Sequence, residues 1–80
     1  MHYTYIIRSK AFPDKTYIGS TSDLKARIQD HNAGFSPHTS KYTPWEIQFY
    51  AAFPSKYKAL DFEAYLKSHS GKAFANKRLI

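Results

Sequence analysis

A β-hairpin at the beginning of the chain constrains its fold more than any other feature of the sequence. Residues 2–8 and residues 16–20 are rich in β-branched and aromatic side chains, which favour strands. Residues 11–15 between them contain a proline and an aspartate and predict a turn. Strands joined by so short a loop pair in antiparallel orientation. The sequence therefore predicts an antiparallel hairpin that brings Tyr5 and Tyr17 onto neighbouring strands.

Two helices, a third strand and a helical tail are predicted downstream of the hairpin. Side chains suited to an N-cap introduce residues 23–33 and Gly34 follows them, which predicts a helix of about three turns. Residues 46–53 are again aromatic and aliphatic and predict a strand. A second helix should run from about residue 55 to 68, and Gly71 should separate it from a short helical tail. The expected class is α/β in the broad sense, an α+β fold with a three-stranded antiparallel sheet flanked by helices.

The length and the absence of cysteine limit what the chain can be. Eighty residues predict a single domain over residues 1–80 with a small core. Without cysteine there are no disulfides, no thiolate zinc sites and no cysteine nucleophile. The residues after Met1 alternate between polar and apolar and resemble neither a signal peptide nor a membrane span. We therefore expect a cytoplasmic protein that does not associate with membranes.

A net charge of +6 favours polyanionic partners, with nucleic acid first and anionic membranes second. The alternative is that the charge only serves solubility. Residues 34–45 contain no apolar periodicity and predict a surface loop in which His38 and Lys41 could follow a phosphate backbone. The residues expected to contact nucleic acid are Gly19, Lys41, Lys67, Lys72, Lys77 and Arg78.

Two polar side chains share the predicted core-facing stripe of the first helix. Leu24, Arg27, Ile28 and His31 follow the i, i+3, i+4, i+7 spacing of such a stripe. Arg27 and His31 are one turn apart, so both can act on one point, such as a phosphate. The alternative is that both lie at the edge of the stripe, with their stems packed and their polar ends in water.

A carboxylate occupies an apolar position of the second predicted helix. Ala59, Phe62, Glu63 and Leu66 repeat the helical spacing, and burying Glu63 without a partner would cost several kcal/mol. Two interpretations remain open at this point. Glu63 either binds a metal ion or forms a buried salt bridge with Arg27.

These residues, in this order, resemble the GIY-YIG nuclease family. Gly19 interrupts the second strand two residues after Tyr17, a position where a backbone or ligand often approaches closely. Tyr5 is followed by eleven residues and then by Tyr17-Ile18-Gly19. Arg27 and His31 follow on a helix and Glu63 on a later one. The likeness is strongest to small standalone bacterial members, which look like the amino-terminal incision domain of the excision-repair nuclease.

One departure from the family pattern is visible at the first motif. The chain has Tyr3-Thr4-Tyr5 where the family name has Gly-Ile-Tyr, and only the tyrosine is kept. Asn76 stands where the resemblance implies a late asparagine. The catalytic residues that the resemblance implies are Tyr5, Tyr17, Arg27, His31 and Asn76.

The resemblance implies an endonuclease that hydrolyses DNA phosphodiester bonds, in DNA repair or recombination. Glu63 would hold one divalent cation, Mg²⁺ or Mn²⁺, since Mg²⁺ accepts one carboxylate and keeps waters and phosphate oxygens. Arg27 would neutralise charge on the phosphate, and His31 would position Tyr5 or move its proton. Tyr5 would be a poor base near neutral pH unless Arg27, His31 or the metal lowered its pKa from about 10. Tyr17 would assist, and the two tyrosines could exchange roles.

Two other functions remain open from the sequence. The first is a nucleic-acid-binding domain with the same fold that cuts slowly or not at all. The second is an RNA or protein adaptor that uses Tyr42, Trp45 and Tyr57 as stacking platforms, although Trp45 after Pro44 is more typical of a packing anchor. Additional protein partners are compatible with any of these functions.

Overall fold

The computed structural model describes residues 1–80 and contains three strands and three helices. In chain order they are β1 (His2–Ser9), β2 (Thr16–Thr21), α1 (Leu24–Asn32), β3 (Trp45–Phe53), α2 (Lys56–Lys67) and α3 (His69–Arg78). The predicted α+β class and three-stranded antiparallel sheet are confirmed. None of the helices has the length and apolar character needed to cross a membrane.

β1 is the central strand of the sheet. The spatial order is β2-β1-β3, and both neighbours run antiparallel to β1. In the pairing with β2, Tyr5 lies opposite Gly19 and Ile7 lies opposite Tyr17. The predicted hairpin is therefore confirmed, and β2 is an edge strand whose outer side is open to the surface.

Each face of the sheet carries its own small core. Side chains alternate between the faces of a strand, so Tyr5 and Ile7 point to one face and Ile6 to the other. Tyr5, Ile7 and the nearly buried Trp45 form one cluster, against which α1 packs with Leu24 and Ile28. On the opposite face, Ile6, Leu66 and Ala75 form a second cluster with side chains from α2 and α3. The core-facing stripe predicted for the first helix is confirmed.

α1 ends where the sequence predicts. Asp23 is its N-cap and accepts a hydrogen bond from the Ala26 amide at 3.0 Å. Gly34 follows the helix with φ of 83°, a left-handed conformation that glycine adopts without a steric penalty. The amide of Phe35 donates to the Asp30 carbonyl at 3.1 Å, and that of Gly34 donates to the His31 carbonyl at 3.2 Å. This pair of bonds is the Schellman arrangement, which satisfies the last carbonyls of the helix.

The boundary between α2 and α3 differs from the prediction. The helices are separated at Ser68, not at Gly71, because Ser68 caps α3 by accepting a hydrogen bond from the Gly71 amide at 3.1 Å. Gly71 lies inside the first turn of α3 and is buried against the backbone of Tyr65. The glycine thus allows a close approach between two helices.

The loop between α1 and β3 is more than the surface loop that the sequence predicts. Ser36 and Thr39 are buried in it, and a short 3-10 helix covers Ser40–Tyr42. The indole Nε1 of Trp45 donates to the Thr39 carbonyl at 2.8 Å. Trp45 is only 4% exposed, so it is a packing anchor and not a stacking platform, while Tyr57 is exposed.

Candidate active site

The Tyr5 hydroxyl lies under α1, opposite a glycine. Tyr5 is 1% exposed, and its hydroxyl is 2.8 Å from His31 Nε2. A β-carbon added to Gly19 would lie 2.5 Å from that hydroxyl oxygen, which is closer than packed atoms allow. Gly19 is itself buried. Gly19 therefore makes room for Tyr5 in the structure, and its contact with nucleic acid stays a prediction.

His31 connects Tyr5 to the loop that follows α1. Its side chain is fully buried, and its Nδ1 lies 2.7 Å from the Thr39 hydroxyl. Burial lowers the pKa of His31 below its ordinary value of 6.5, and the charge of Arg27 lowers it further against an opposing effect of Asp30. His31 is therefore a neutral imidazole near pH 7, with one nitrogen that donates and one that accepts.

The pKa of Tyr5 is raised from its ordinary value of 10.0, so the condition that the sequence set for Tyr5 to act as a free base is not met by its protein neighbours. Burial is the largest cause, because a phenolate loses its hydration under α1. Arg27 beside the hydroxyl acts in the opposite direction and lowers the pKa, but it does not outweigh burial. The charges of Tyr17 and Glu63 raise it as well. Tyr5 therefore holds its proton at neutral pH in the protein without bound metal.

Arg27 is half-buried, and it lies close enough to Tyr5 to lower the pKa of the hydroxyl. The sequence indicated that Arg27 and His31 can act on one point, and both lie beside this hydroxyl. No carboxylate forms an ion pair with Arg27, because the single ion pair of the chain joins Lys67 to Glu63. Its charge is therefore available to a phosphate.

Glu63 is held by groups other than Arg27. Its Oε1 accepts a hydrogen bond from the Ser20 hydroxyl at 2.7 Å, and its Oε2 lies 2.8 Å from the ammonium of Lys67. The side chain of Glu63 is 19% exposed and that of Lys67 is 51% exposed. The buried salt bridge between Glu63 and Arg27, one of the two interpretations from the sequence, is wrong.

Tyr17 completes the polar cluster at the edge of the sheet. It is half-buried on β2, and its ring meets the His31 ring edge to face with the centroids 5.1 Å apart. Tyr17 is more exposed than Tyr5, because it lies on an edge strand and Tyr5 on the central one. The part of the cluster that solvent or a substrate reaches first is therefore Tyr17.

The remaining predicted residues lie on the surface and do not contact Tyr5. Asn76 is exposed on α3 and lines a cleft of about 390 Å³ together with Tyr17, Lys67 and Lys72. The other predicted basic contacts are also exposed and lie in the 3-10 helix or near the end of α3; they are Lys41, Lys77 and Arg78.

The sequence analysis missed two side chains that hold the site, Ser20 and Thr39. Ser20 directly follows Gly19 and faces α2, so its position beside a conspicuous glycine is the signal that could have suggested it. Thr39 carries no comparable signal, since it is one of several hydroxyl residues in a loop without periodicity. Its contact with His31 arises only from the path of the loop.

A divalent cation would find one carboxylate at this site. No group of three or more His, Asp or Glu side chains capable of holding a metal ion occurs in residues 1–80. Glu63 is partly exposed and its second partner is a half-exposed lysine, so one of its oxygens can be released. Such a donor set fits Mg²⁺ or Mn²⁺, which keep several waters and phosphate oxygens, but does not fit a cation that needs a full protein cage.

The fold and the site together define a class of protein. It is a small α+β domain in which two tyrosines of a hairpin meet an arginine and a histidine of the next helix. The chain belongs to the GIY-YIG family, since the model of the GIY-YIG catalytic domain matches residues 1–78.

Similar proteins include both long and short chains. The chain is 45% identical over 65 residues to a structure-specific endonuclease subunit, SLX1, of Cryptococcus neoformans, a match that covers 74% of this chain and 13% of that protein. It is 31% identical over 70 residues to a UPF0213 protein of Haloquadratum walsbyi, covering 86% of this chain and 76% of that one. The chain thus spans a small part of the SLX1 protein and most of the UPF0213 protein.

A solved structure agrees with the fold. The solution structure of a UPF0213 protein from Bacillus halodurans matches 98% of this chain and 85% of its own, with 30% identity and a TM-score of 0.56. The similarity extends from β1 to α3 and therefore includes every element that carries the site. The resemblance to small GIY-YIG proteins is confirmed.

Proposed function

We propose that the chain is an endonuclease that hydrolyses phosphodiester bonds of DNA. The observation that carries the proposal is the contact of His31 with the Tyr5 hydroxyl beside the positive charge of Arg27, which has no carboxylate partner. A structural role alone does not account for an unpaired, half-buried guanidinium beside a buried hydroxyl. A phosphate would supply the missing anion.

In the proposed mechanism, Arg27 binds the nonbridging oxygens of the phosphate and neutralises the charge that grows on them. Tyr5 takes a proton from the attacking water and at the same time passes its own hydroxyl proton to His31 Nε2. This relay explains how a tyrosine with a raised pKa can act as a base, because no free phenolate is needed. Tyr17 orients the water or the phosphate by a hydrogen bond.

The bonds and protons of this hydrolysis step balance. The water oxygen bonds to phosphorus, and the bond from phosphorus to the 3′ oxygen breaks. The leaving oxygen takes a proton from solvent, and His31 later returns its extra proton to solvent. The lowered pKa of His31 favours this return, because burial and Arg27 destabilise the imidazolium.

Glu63 is the proposed ligand of one divalent cation, Mg²⁺ or Mn²⁺. When bound, the cation would act as a Lewis acid that stabilises negative charge at the phosphate and the leaving oxygen. Glu63 offers Oε2 for this purpose once Lys67 turns away, while Ser20 keeps Oε1 oriented. The released ammonium of Lys67 stays at the rim, where it can contact a neighbouring phosphate.

Branched DNA is the preferred candidate substrate, and DNA repair or recombination is the proposed setting. The fungal relatives are named as structure-specific endonuclease subunits, and the chain matches a short segment of them. Their description as subunits also suggests a protein partner for this chain. The basic exposed side chains of α3 suit the phosphate backbone of any such substrate.

A nicking assay tests the proposal. Supercoiled plasmid and branched duplexes are incubated with the protein and Mg²⁺, Mn²⁺ or a chelator. We expect metal-dependent nicking that the chelator abolishes. A protein that binds DNA without cutting it under any of these conditions would overturn the endonuclease assignment in favour of a binding domain.

A further inference from the structure

Thr39 is the last side chain in a line of hydrogen bonds that starts at Tyr5. It is 1% exposed, and its hydroxyl lies 2.7 Å from His31 Nδ1. Its backbone carbonyl accepts the Nε1 hydrogen of Trp45 at 2.8 Å. Because Trp45 is buried in the core under α1, Thr39 is anchored while its hydroxyl faces His31.

The donors and acceptors available to Tyr5, His31 and Thr39 determine where each hydrogen of these hydrogen bonds lies. Arg27 lies beside the Tyr5 hydroxyl but has donors only, so it cannot accept the hydroxyl hydrogen. The hydroxyl hydrogen of buried Tyr5 must then go to His31 Nε2, its remaining partner. A neutral His31 that accepts at Nε2 carries its hydrogen on Nδ1 and donates it to Thr39.

The hydroxyl of Thr39 has an acceptor of its own, which completes the line. It donates to the Ser36 carbonyl at 3.4 Å, so its oxygen is free to accept from His31. No buried side-chain nitrogen or oxygen in the protein is left without a partner. The opposite tautomer would direct the Nε2 hydrogen at the Tyr5 oxygen and leave the buried Tyr5 hydrogen without an acceptor.

We infer that Thr39 is a positioning residue that fixes the Nδ1–H tautomer of His31 and so keeps Nε2 free to receive the proton of Tyr5. This inference rests on the proposed function for its role in phosphodiester hydrolysis. The tautomer itself follows from the hydrogen bonds alone and is measurable in a protein without DNA or metal.

The test compares two substitutions of Thr39 with a control in the same loop. Thr39→Val keeps the shape but removes the hydroxyl, Thr39→Ser keeps the hydroxyl, and Thr43→Val makes the same change at a half-buried threonine further along the loop. The tautomer of His31 is read from the ¹⁵N chemical shifts of its ring nitrogens, assigned with His31→Gln. Plasmid nicking is measured in parallel.

We expect an Nδ1–H tautomer in the wild type, in Thr39→Ser and in Thr43→Val. Thr39→Val should shift His31 towards the Nε2–H form and reduce nicking about tenfold or more, since partners that orient functional histidines typically contribute roughly 10- to 100-fold. Thr39→Ser should restore most of the nicking rate. Rescue by serine would separate the effect of the hydroxyl from a packing effect.

Several results would overturn the inference. An Nε2–H tautomer in the wild type would do so even if Thr39→Val failed to fold. An unchanged tautomer and nicking rate in Thr39→Val would do so as well. If the wild type did not nick DNA while Thr39→Val still changed the tautomer, the endonuclease proposal would fall and the assignment of Thr39 to His31 would stand.

Discussion

At the scale of single residues, the Tyr5 hydroxyl is the point where the polar groups of the site meet. Arg27 lies beside it, His31 accepts from it, and Gly19 leaves the space that it occupies. Glu63 acts on Tyr5 through its charge but has its own partners on the other side of β2. The residues of the site therefore differ in how strongly the fold depends on them.

Replacing Arg27 with alanine should abolish nicking with little loss of stability. Arg27 has no carboxylate partner whose charge would be left buried. We expect nicking to fall by about 100-fold or more, which is typical for loss of one group that stabilises an oxyanion. Thermal unfolding should show a change within about 1 kcal/mol.

Two matched variants sharpen the interpretation of Arg27. Arg27→Lys keeps the charge and loses the planar fork, and should give an intermediate rate. Lys25→Ala removes an exposed charge from the same helix and should leave nicking near the wild-type rate. Unfolding of Arg27→Ala would instead mean that Arg27 is mainly structural.

Replacing Glu63 with glutamine should remove metal-dependent nicking and preserve the fold. Glutamine keeps the hydrogen bond from Ser20 and loses only the ion pair with a half-exposed lysine, which contributes about 0–1 kcal/mol. The measurements are nicking with Mg²⁺ or Mn²⁺ and thermal unfolding. Glu46→Gln, at an exposed position of β3, is the control and should nick normally.

A different outcome for Glu63→Gln would contradict the proposed role. Loss of roughly 3–5 kcal/mol would indicate a buried ion pair that the structure does not contain. Nicking at the wild-type rate would remove Glu63 from the active site. DNA binding by the variant should survive in either case, because one carboxylate does not carry the attraction to phosphates.

At the scale of elements, α1 serves both the core and the site. Leu24 and Ile28 pack against the sheet, while the same face carries Arg27 and His31 to Tyr5. The Schellman bonds at Gly34 end the helix, and the chain then returns through the loop that places Thr39 on His31. When α1 packs on the sheet, it therefore also brings together the residues of the site.

The stability of the protein should fall as the pH decreases through the range in which His31 takes up a proton. The unfolded chain protonates His31 near 6.5, but in the folded protein its pKa is lower, so the unfolded state binds more protons below that pH. Stability is thus complete above about pH 6.5 and is lost as the pH falls towards the pKa of the folded state. Tyr5, Tyr17, Arg27 and Asp30 are the titratable groups that face His31.

Denaturant unfolding at several pH values between about 7.5 and 5.5 measures this effect. His31→Gln should reduce the slope of the unfolding free energy against pH, even if the variant is more or less stable than the wild type at about pH 7.5. The nicking rate should also decrease at acid pH, because a protonated His31 cannot accept the Tyr5 proton. If the slope were the same in the wild type and in His31→Gln, His31 would not be a histidine that is buried in its neutral form.

At the scale of the whole molecule, the excess of positive charge governs the approach to DNA. The chain carries a net charge of +6, and α3 ends with two exposed basic residues, Lys77 and Arg78. The cleft beside Tyr17 is lined by two further lysines. These charges lie on the surface, and the sequence offers no helix or ribbon suited to reading bases, so binding should be mainly electrostatic.

DNA affinity should therefore decrease steeply with salt. Titration of a labelled duplex between about 50 and 200 mM salt gives the slope of log affinity against log salt concentration. A double variant, Lys77→Ala with Arg78→Ala, should reduce the steepness of this slope by the amount expected for the loss of up to about two phosphate contacts. It should leave the nicking rate at saturating protein unchanged. An affinity that barely changed with salt would point to a partner other than nucleic acid.

The sequence by itself determined the elements and which polar residues share a helix face. Local preferences placed the hairpin, the end of α1 at Gly34 and the third strand, because strand-forming side chains, caps and glycine act within a few residues. Helical spacing put Arg27 and His31 on one face. It also left Glu63 with two possible partners, since spacing along one helix cannot tell which group lies opposite it.

Only the tertiary structure decided which groups meet across the sheet. It paired Glu63 with Ser20 and Lys67, buried Gly19 beneath Tyr5, and brought Thr39 from an irregular loop onto His31. It also raised the pKa of Tyr5, because the extent of burial depends on how α1 covers β1. Contacts and desolvation of this kind join residues far apart in the chain, and no local pattern specifies them.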